Sequence, residues 1–199
     1  MKPFILIIAA CILLASCNRE SEQQSGGVSL ERNIFQEVKE QTVRNPNDAE
    51  AWYHLADLYE NARMYHEEID TLKKVIALTP QKGYVYVKQG IAYNRIGQYA
   101  DAIKSFSVAK QYFPNDPVLY NNQAISYGML GKIPEEIREL EHAIALRPNY
   151  ATARYNLGKV MLKQGNRDGA LKQYHALDKF DTSMAATLKK EIDAKGKKP

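Results

Sequence analysis

Trp52, Leu55, Ala56 and Tyr59 stand at i, i+3, i+4 and i+7 with polar residues between them, the spacing of one apolar face on a helix. A second such face follows in Ile69, Leu72, Val75 and Ile76. This pair of helices recurs along the chain. Pro46, Pro80, Pro114 and Pro148 are each 34 residues apart, and both Tyr59, Tyr93 and Tyr127 and Gly97, Gly131 and Gly165 keep the same interval. Three residue series in one register predict a stacked helical hairpin, because a single hairpin cannot bury its apolar face alone. Proline, and the residue before it, disfavour helix continuation, so the prolines stop the second helix of each unit. The glycines fall between the helices, where a left-handed residue ends a helix. Ala56, Gly90, Ala124 and Gly158 keep one repeated place small, where the first helix has to pass close to the second.

The fold expected from this pattern is all-α, a helix-turn-helix solenoid of four units at 49–82, 83–116, 117–150 and 151–184. Two flanking helices extend it. "SLERNIFQEVKEQTVRNP", within 29–48, ends at the in-register Pro46 and reads as the second helix of a degenerate leading unit. "SMAATLKKEIDAK" reads as a solvating helix at the C-terminal end, which gives a capping helix and basic tail at 185–199. Glu68 and Glu136 stand where the other units have Ala102 and Ala170, which predicts units that are splayed or locally polar. Met161 in place of the tyrosine and Thr182 in place of the proline mark the end of the array, where capping repeats are atypical.

Period and residue pattern together resemble the tetratricopeptide repeat over residues 49–184. The resemblance implies that the first helices line a concave groove that takes a protein or peptide. Its groove positions here are Glu50, Tyr53, His54, Asp57 and Asn61 in unit one, and Tyr84, Val87, Lys88, Ile91, Asn94 and Arg95 in unit two. Unit three supplies Asn121, Asn122, Ile125 and Met129, and unit four Thr152, Tyr155, Asn156, Lys159 and Lys163. Asn94, Asn122 and Asn156 each offer a donor and an acceptor to a partner's backbone. Tyr53, Tyr84 and Tyr155 offer the amphipathic contacts common at binding hot spots. Val87, Ile91 and Thr152 do not fit the lysine, asparagine and arginine set with which chaperone-binding members clamp a C-terminal carboxylate, although Asn122 does.

Composition adds exclusions. The chain has 199 residues, is 45% hydrophobic and 25% charged, and carries a formal charge of +4. The excess is spread out, apart from "LKKEIDAKGKKP", and lacks the concentrated stripe with interleaved aromatics expected for nucleic acid. No phosphate-cradling loop, nucleophile elbow or H-E-x-x-H pair occurs; "HEEID" at His66 lacks a second histidine. His54, His66, His142 and His175 occupy unmatched repeat positions. No catalytic residue, metal, cofactor or small-molecule substrate is expected.

The N-terminus has its own pattern. Lys2, the apolar run "FILIIAACILLA" and the small residues after it have the order of a secretory signal, and Asn18, Arg19 and Glu20 end the run short of a membrane span. "LASC" resembles the bacterial lipobox, which implies removal of residues 1–16 and lipid on Cys17. Cys11 leaves with the signal, so no thiol remains for a disulfide. Two or more acyl chains give stable anchoring. Residues 17–28, polar and ending near Gly26 and Gly27, read as a flexible linker of roughly 40 Å at most. Asn18 is not the Asp that retains enteric lipoproteins in the inner membrane, which points to the periplasmic face of the outer membrane. Lipobox, linker and short array are together similar in layout to pilotin lipoproteins, which help type IV pilus secretins multimerise. Adaptors for cell-wall hydrolases or synthases share this build, and an accessory enzyme subunit is a third reading.

Overall fold

The computed structural model of the protein describes residues 33–195, all helix and connecting turns. The expectations for the signal, Cys17 and the linker lie outside these residues, as does 196–199. Helix α1 (33–44) leads. The paired helices follow: α2 (Ala49–Asn61) with α3 (Tyr65–Leu78), α4 (Gly83–Arg95) with α5 (Tyr99–Tyr112), α6 (Pro117–Met129) with α7 (Ile133–Leu146), and α8 (Ala151–Lys163) with α9 (Arg167–Leu177). Helix α10 (Thr182–Lys195) closes the order. Each helix packs on its hairpin partner and on the next unit, which is the architecture of a solenoid.

The repeat is visible in the hydrogen bonds that end each first helix. The N–H groups of Met64, Gln98, Lys132 and Asn166 donate to the carbonyls of Tyr59, Tyr93, Tyr127 and Met161, each at 2.9 Å. This reach of five residues back needs a left-handed residue just before the donor. Gly97, Gly131 and Gly165 take it with φ of 77°, 71° and 74°, and in unit one Arg63 takes it with φ 58°. The repeated prolines have a second use. Trp52 Nε1 donates to the Pro46 carbonyl at 2.9 Å, Tyr120 Oη to Pro114 at 2.8 Å and Arg154 Nε to Pro148 at 2.7 Å, each reaching six residues back. In unit two the Pro80 carbonyl is served instead by Tyr112 Oη at 3.0 Å.

The core runs along the hairpins as a chain of apolar clusters. Ala56, Leu72, Val75 and Val85 join units one and two; Ala102, Phe106, Ala109 and Leu119 join two and three; Ala124, Leu140, Ala143, Ala153, Leu157 and Val160 join three and four. A Cβ on Gly90 would lie 2.7 Å from Phe106 Cε1, so this small residue sets how closely α4 meets α5. Gly158 differs from the expectation, because the neighbour its Cβ would strike, at 2.6 Å, is Leu188 of α10 rather than the second helix of its own unit. Helix α10 buries Ala185, Leu188 and Ile192 against Leu162, Ala170 and Leu177, and thereby covers the apolar end of the stack. At the other end Phe35 of α1 meets Tyr59 edge-on at 5.0 Å.

Glu68 and Glu136 fold inward. Glu68 is 1% exposed, and the Glu136 carboxyl occupies the space above Gly128, whose missing Cβ would lie 2.5 Å from it. Of the two outcomes open to these units, the locally polar interior is the one found.

Candidate functional site

Successive first helices lie side by side and are joined by polar groups, and the residues left over form the solvent-facing surface of this layer. At the unit-one end, Tyr53 and Tyr84 meet edge-on at 5.2 Å. Lys88 Nζ reaches between them and two carboxylates, at 2.6 Å from Asp57 Oδ1 and in contact with Glu60 Oε2, with its charge 5.6 Å from the Tyr53 ring centre. Burial pulls the Lys88 pKa down, but the hydrogen bonds to Asp57 and Glu60 outweigh it and leave the ammonium above its ordinary value. Burial, and then the Asp57 charge, push the Tyr53 hydroxyl up. Beneath them burial raises the Glu68 carboxyl to about 7, with the Glu60 charge as the next cause. One oxygen of Glu68 has no hydrogen-bond partner, and neither does one of Glu136, which burial also raises and Lys163 partly offsets.

The asparagines depart from the expectation. Asn121 is 3% exposed, so it is not a groove-surface residue; its Oδ1 accepts from Asn156 Nδ2 at 2.9 Å across the joint between α6 and α8. Asn94 Oδ1 accepts from Ser126 Oγ at 2.7 Å, and its amide reaches the Asn122 carbonyl at 3.4 Å. Asn94 and Asn121 therefore hold neighbouring units together, and Asn156 gives an amide hydrogen to the Asn121 joint while its Oδ1 forms no hydrogen bond to a described residue. The reason is geometric. A residue on the flank of a first helix meets the adjacent first helix before it meets the groove. Asn122 is the exception, half-buried, with no hydrogen bond from its side-chain amide to any described residue.

Ile125, Met129 and Arg95 remain exposed, as does Tyr84, and Ile91 is half-buried against the unit-two cluster. Arg95 Nη1 receives no carboxylate; it donates to Tyr65 Oη at 2.8 Å and stacks on that ring. Tyr155 Oη donates to Glu191 at 2.6 Å, which pushes that hydroxyl up to about 12, and Lys159 lies 5.4 Å from the Tyr155 ring centre. Sequence reasoning missed the contribution of α10 and its turn. Lys163, Arg167 and Lys195, with Leu162 and Gly165, line an open cavity of about 400 Å³ at the unit-four end. Only the basic character of the chain end hinted at it. Among the described residues no group of His, Cys, Asp and Glu is placed to hold a metal, and no helix is long and apolar enough to cross a membrane.

Models of the tetratricopeptide repeat match residues 49–82, 84–116 and 152–183, and a further TPR repeat model matches 126–165. No curated protein matches the sequence. Among solved structures, MamA superposes with a TM-score of 0.70 at 20% identity, covering 82% of this chain and 91% of that one. YrrB, described as a TPR protein with an unusual peptide-binding site, gives 0.71 at 19% identity over 83% of this chain and 86% of its own. The thermophilic TPR protein TTC0263 from Thermus thermophilus gives 0.59 at 22% identity, over 84% and 93%. At these identities the likeness concerns the fold.

Proposed function

Because the chain belongs to the tetratricopeptide-repeat family, whose fold serves protein–protein interaction, we propose that it is a non-enzymatic scaffold that holds a protein or peptide on the surface of its first helices. The observation that carries this reading is the stripe of Ile125 and Met129, 40% and 59% exposed, in the middle of that surface. Most apolar residues of the first helices are buried or half-buried between units, yet these two side chains face water. Exposed apolar patches rimmed by polar groups mark interaction sites. The peptide-binding site named for YrrB is consistent with the same use of the fold.

Lipid on Cys17 anchors this scaffold to a membrane, and the absence of Asp after it favours the periplasmic face of the outer membrane. There it assists assembly of an envelope complex such as a type IV pilus secretin. An adaptor for cell-wall hydrolases or synthases, or an accessory subunit of an enzyme, is the alternative use of the same layout. Replacing Cys17 by Ser leaves the solenoid folded and moves the protein from the membrane to the soluble fraction; a variant that still sediments with the outer membrane refutes the anchor. The groove is tested by a photo-crosslinking amino acid at position 129 and, separately, at Lys104 on the outer helix α5, in living cells. An adduct specific to position 129 supports the reading. Adducts only from position 104 place the interface on the second helices and refute it.

A further inference from the structure

The groove surface is polarised along the stack. Two rows run across the first helices at matching repeat positions, Asp57–Ile91–Ile125–Lys159 and Asn61–Arg95–Met129–Lys163, so unit one is acidic or neutral, the middle apolar apart from Arg95, whose guanidinium lies on Tyr65, and unit four basic. The charges at the two ends are not equivalent. Asp57 and Glu60 are already held by Lys88, whereas Lys159 and Lys163 form no ion pair with any described residue. Glu136, whose carboxyl feels the Lys163 charge, is buried against Gly128 and makes no ion pair with it. Lys163 also lines the basic cavity with Arg167 and Lys195. Those two are occupied: Arg167 donates to the Ile192 carbonyl at 2.5 Å and pairs with Asp193 at 3.4 Å, and Lys195 donates to the Leu162 carbonyl at 3.0 Å. They fix the shape of the cavity, and the unspent charge is that of Lys163 and Lys159.

We propose that the partner is an extended peptide segment with two apolar side chains about three residues apart and an acidic group about three residues further on, held by Lys159 and by Lys163 one turn along α8 at the edge of the cavity. The spacing follows from geometry. Neighbouring packed helices lie ~8–10 Å apart, and an extended chain advances ~3.3 Å per residue, so one step from Ile91 to Ile125 and one from Ile125 to Lys159 each take about three residues. Extension follows from Asn122. Its amide forms no hydrogen bond to a described residue, and an extended segment, whose backbone offers both a free N–H and a free C=O, can use its acceptor and its donor together. A helical partner satisfies its own backbone and offers that amide side chains alone.

This inference rests on the groove reading and is tested apart from it. A phage library of random peptides of about a dozen residues is selected on the detergent-purified full chain, and again on the Lys159→Glu/Lys163→Glu variant. Neither lysine forms a hydrogen bond or ion pair with a described residue; the variant loses the Lys159 contact with the Tyr155 ring and the Lys163 charge near Glu136, and circular dichroism and the melting temperature check that the fold is kept. The expected result is enrichment of the apolar-apolar-acidic spacing on the wild type. Affinity of the enriched peptide falls at least tenfold on the variant, and the variant's own selection favours a basic group at that place. Enriched peptides without an acidic end, equal affinity for both proteins, or no enrichment overturn the proposal. In each of those cases crosslinking from position 129 still decides the groove reading by itself.

Discussion

Replacing Glu68 by Gln isolates one buried carboxyl. Glu68 is 1% exposed, one of its oxygens has no hydrogen-bond partner, and burial lifts its pKa from the ordinary 4.5 to about 7. Between those two values the unfolded chain has lost this proton while the folded chain keeps it. Stability from this group is therefore fully present below about pH 4.5, falls as pH rises, and is lost above about pH 7. The displacement, already net of the offset by Lys88 and Arg95, corresponds to about 3 kcal/mol. Glutamine keeps the size of the protonated side chain and cannot ionise. The variant should match wild type near about pH 4 and be more stable near about pH 8 by as much as ~3 kcal/mol, or roughly 6–12 °C in midpoint for a chain of this size. Urea unfolding followed at the helical circular-dichroism band across this range measures the difference. Glu136, still present in both proteins, cancels in the comparison. Parallel stability curves for the two proteins refute the buried, proton-retaining carboxyl.

Two other substitutions test the joints and the turns. Lys88→Met leaves Asp57 and Glu60 facing each other without their shared cation and should cost about 1–3 kcal/mol in urea unfolding, reduced from a fully buried pair because both acids are partly solvated. Adding Asp57→Asn and Glu60→Gln to that variant should recover most of the loss; no recovery means that Lys88 acts through its apolar stem. Arg63→Gly should stabilise by about 1 kcal/mol, because φ 58° costs a residue with a Cβ about that much and the other three units use glycine there. A lower thermal midpoint in the glycine variant contradicts the strain.

The hairpins were legible because residue types recur at one period and each serves the backbone in the same way at every recurrence. Three of the four proline carbonyls receive a side chain six residues on, the fourth one from Tyr112, and glycines turn left-handed. Arg63 makes the same turn without the signal, since the hydrogen bond from Met64 to Tyr59 fixes the conformation whatever residue stands there. The groove was legible only in part. Repeat position gives the angle at which a side chain leaves its helix, and that angle placed Ile125 and Met129 on the exposed surface. It does not give what stands opposite. Asn121, Asn94 and Asn156 leave at groove-flank angles and are engaged by an adjacent first helix, Asn156 through its amide alone. Glu136 stands where a small residue is usual, and its inward course depends on Gly128, eight residues earlier on a different helix.

Those engaged polar groups bear on how the array specifies itself. Apolar faces repeated at one period could pack in any order, because each first helix offers nearly the same small residue and the same large ones to its neighbour. The polar joints differ at every step. Lys88 with Asp57 and Glu60 joins units one and two; Ser126 with Asn94, and Gln123 with Ser107, join two and three; Asn156 with Asn121 joins three and four; Tyr155 with Glu191 joins unit four to α10. A lysine facing the asparagine of the wrong joint, or a carboxylate facing a carboxylate, leaves a buried polar group unmet, which costs more than the correct pair contributes. The distinct joints thus penalise slipped or swapped packings that the apolar faces alone would accept. Groove chemistry depends on that order, because the step from apolar at Ile91 and Ile125 to basic at Lys159 and Lys163 exists only if unit four follows unit three.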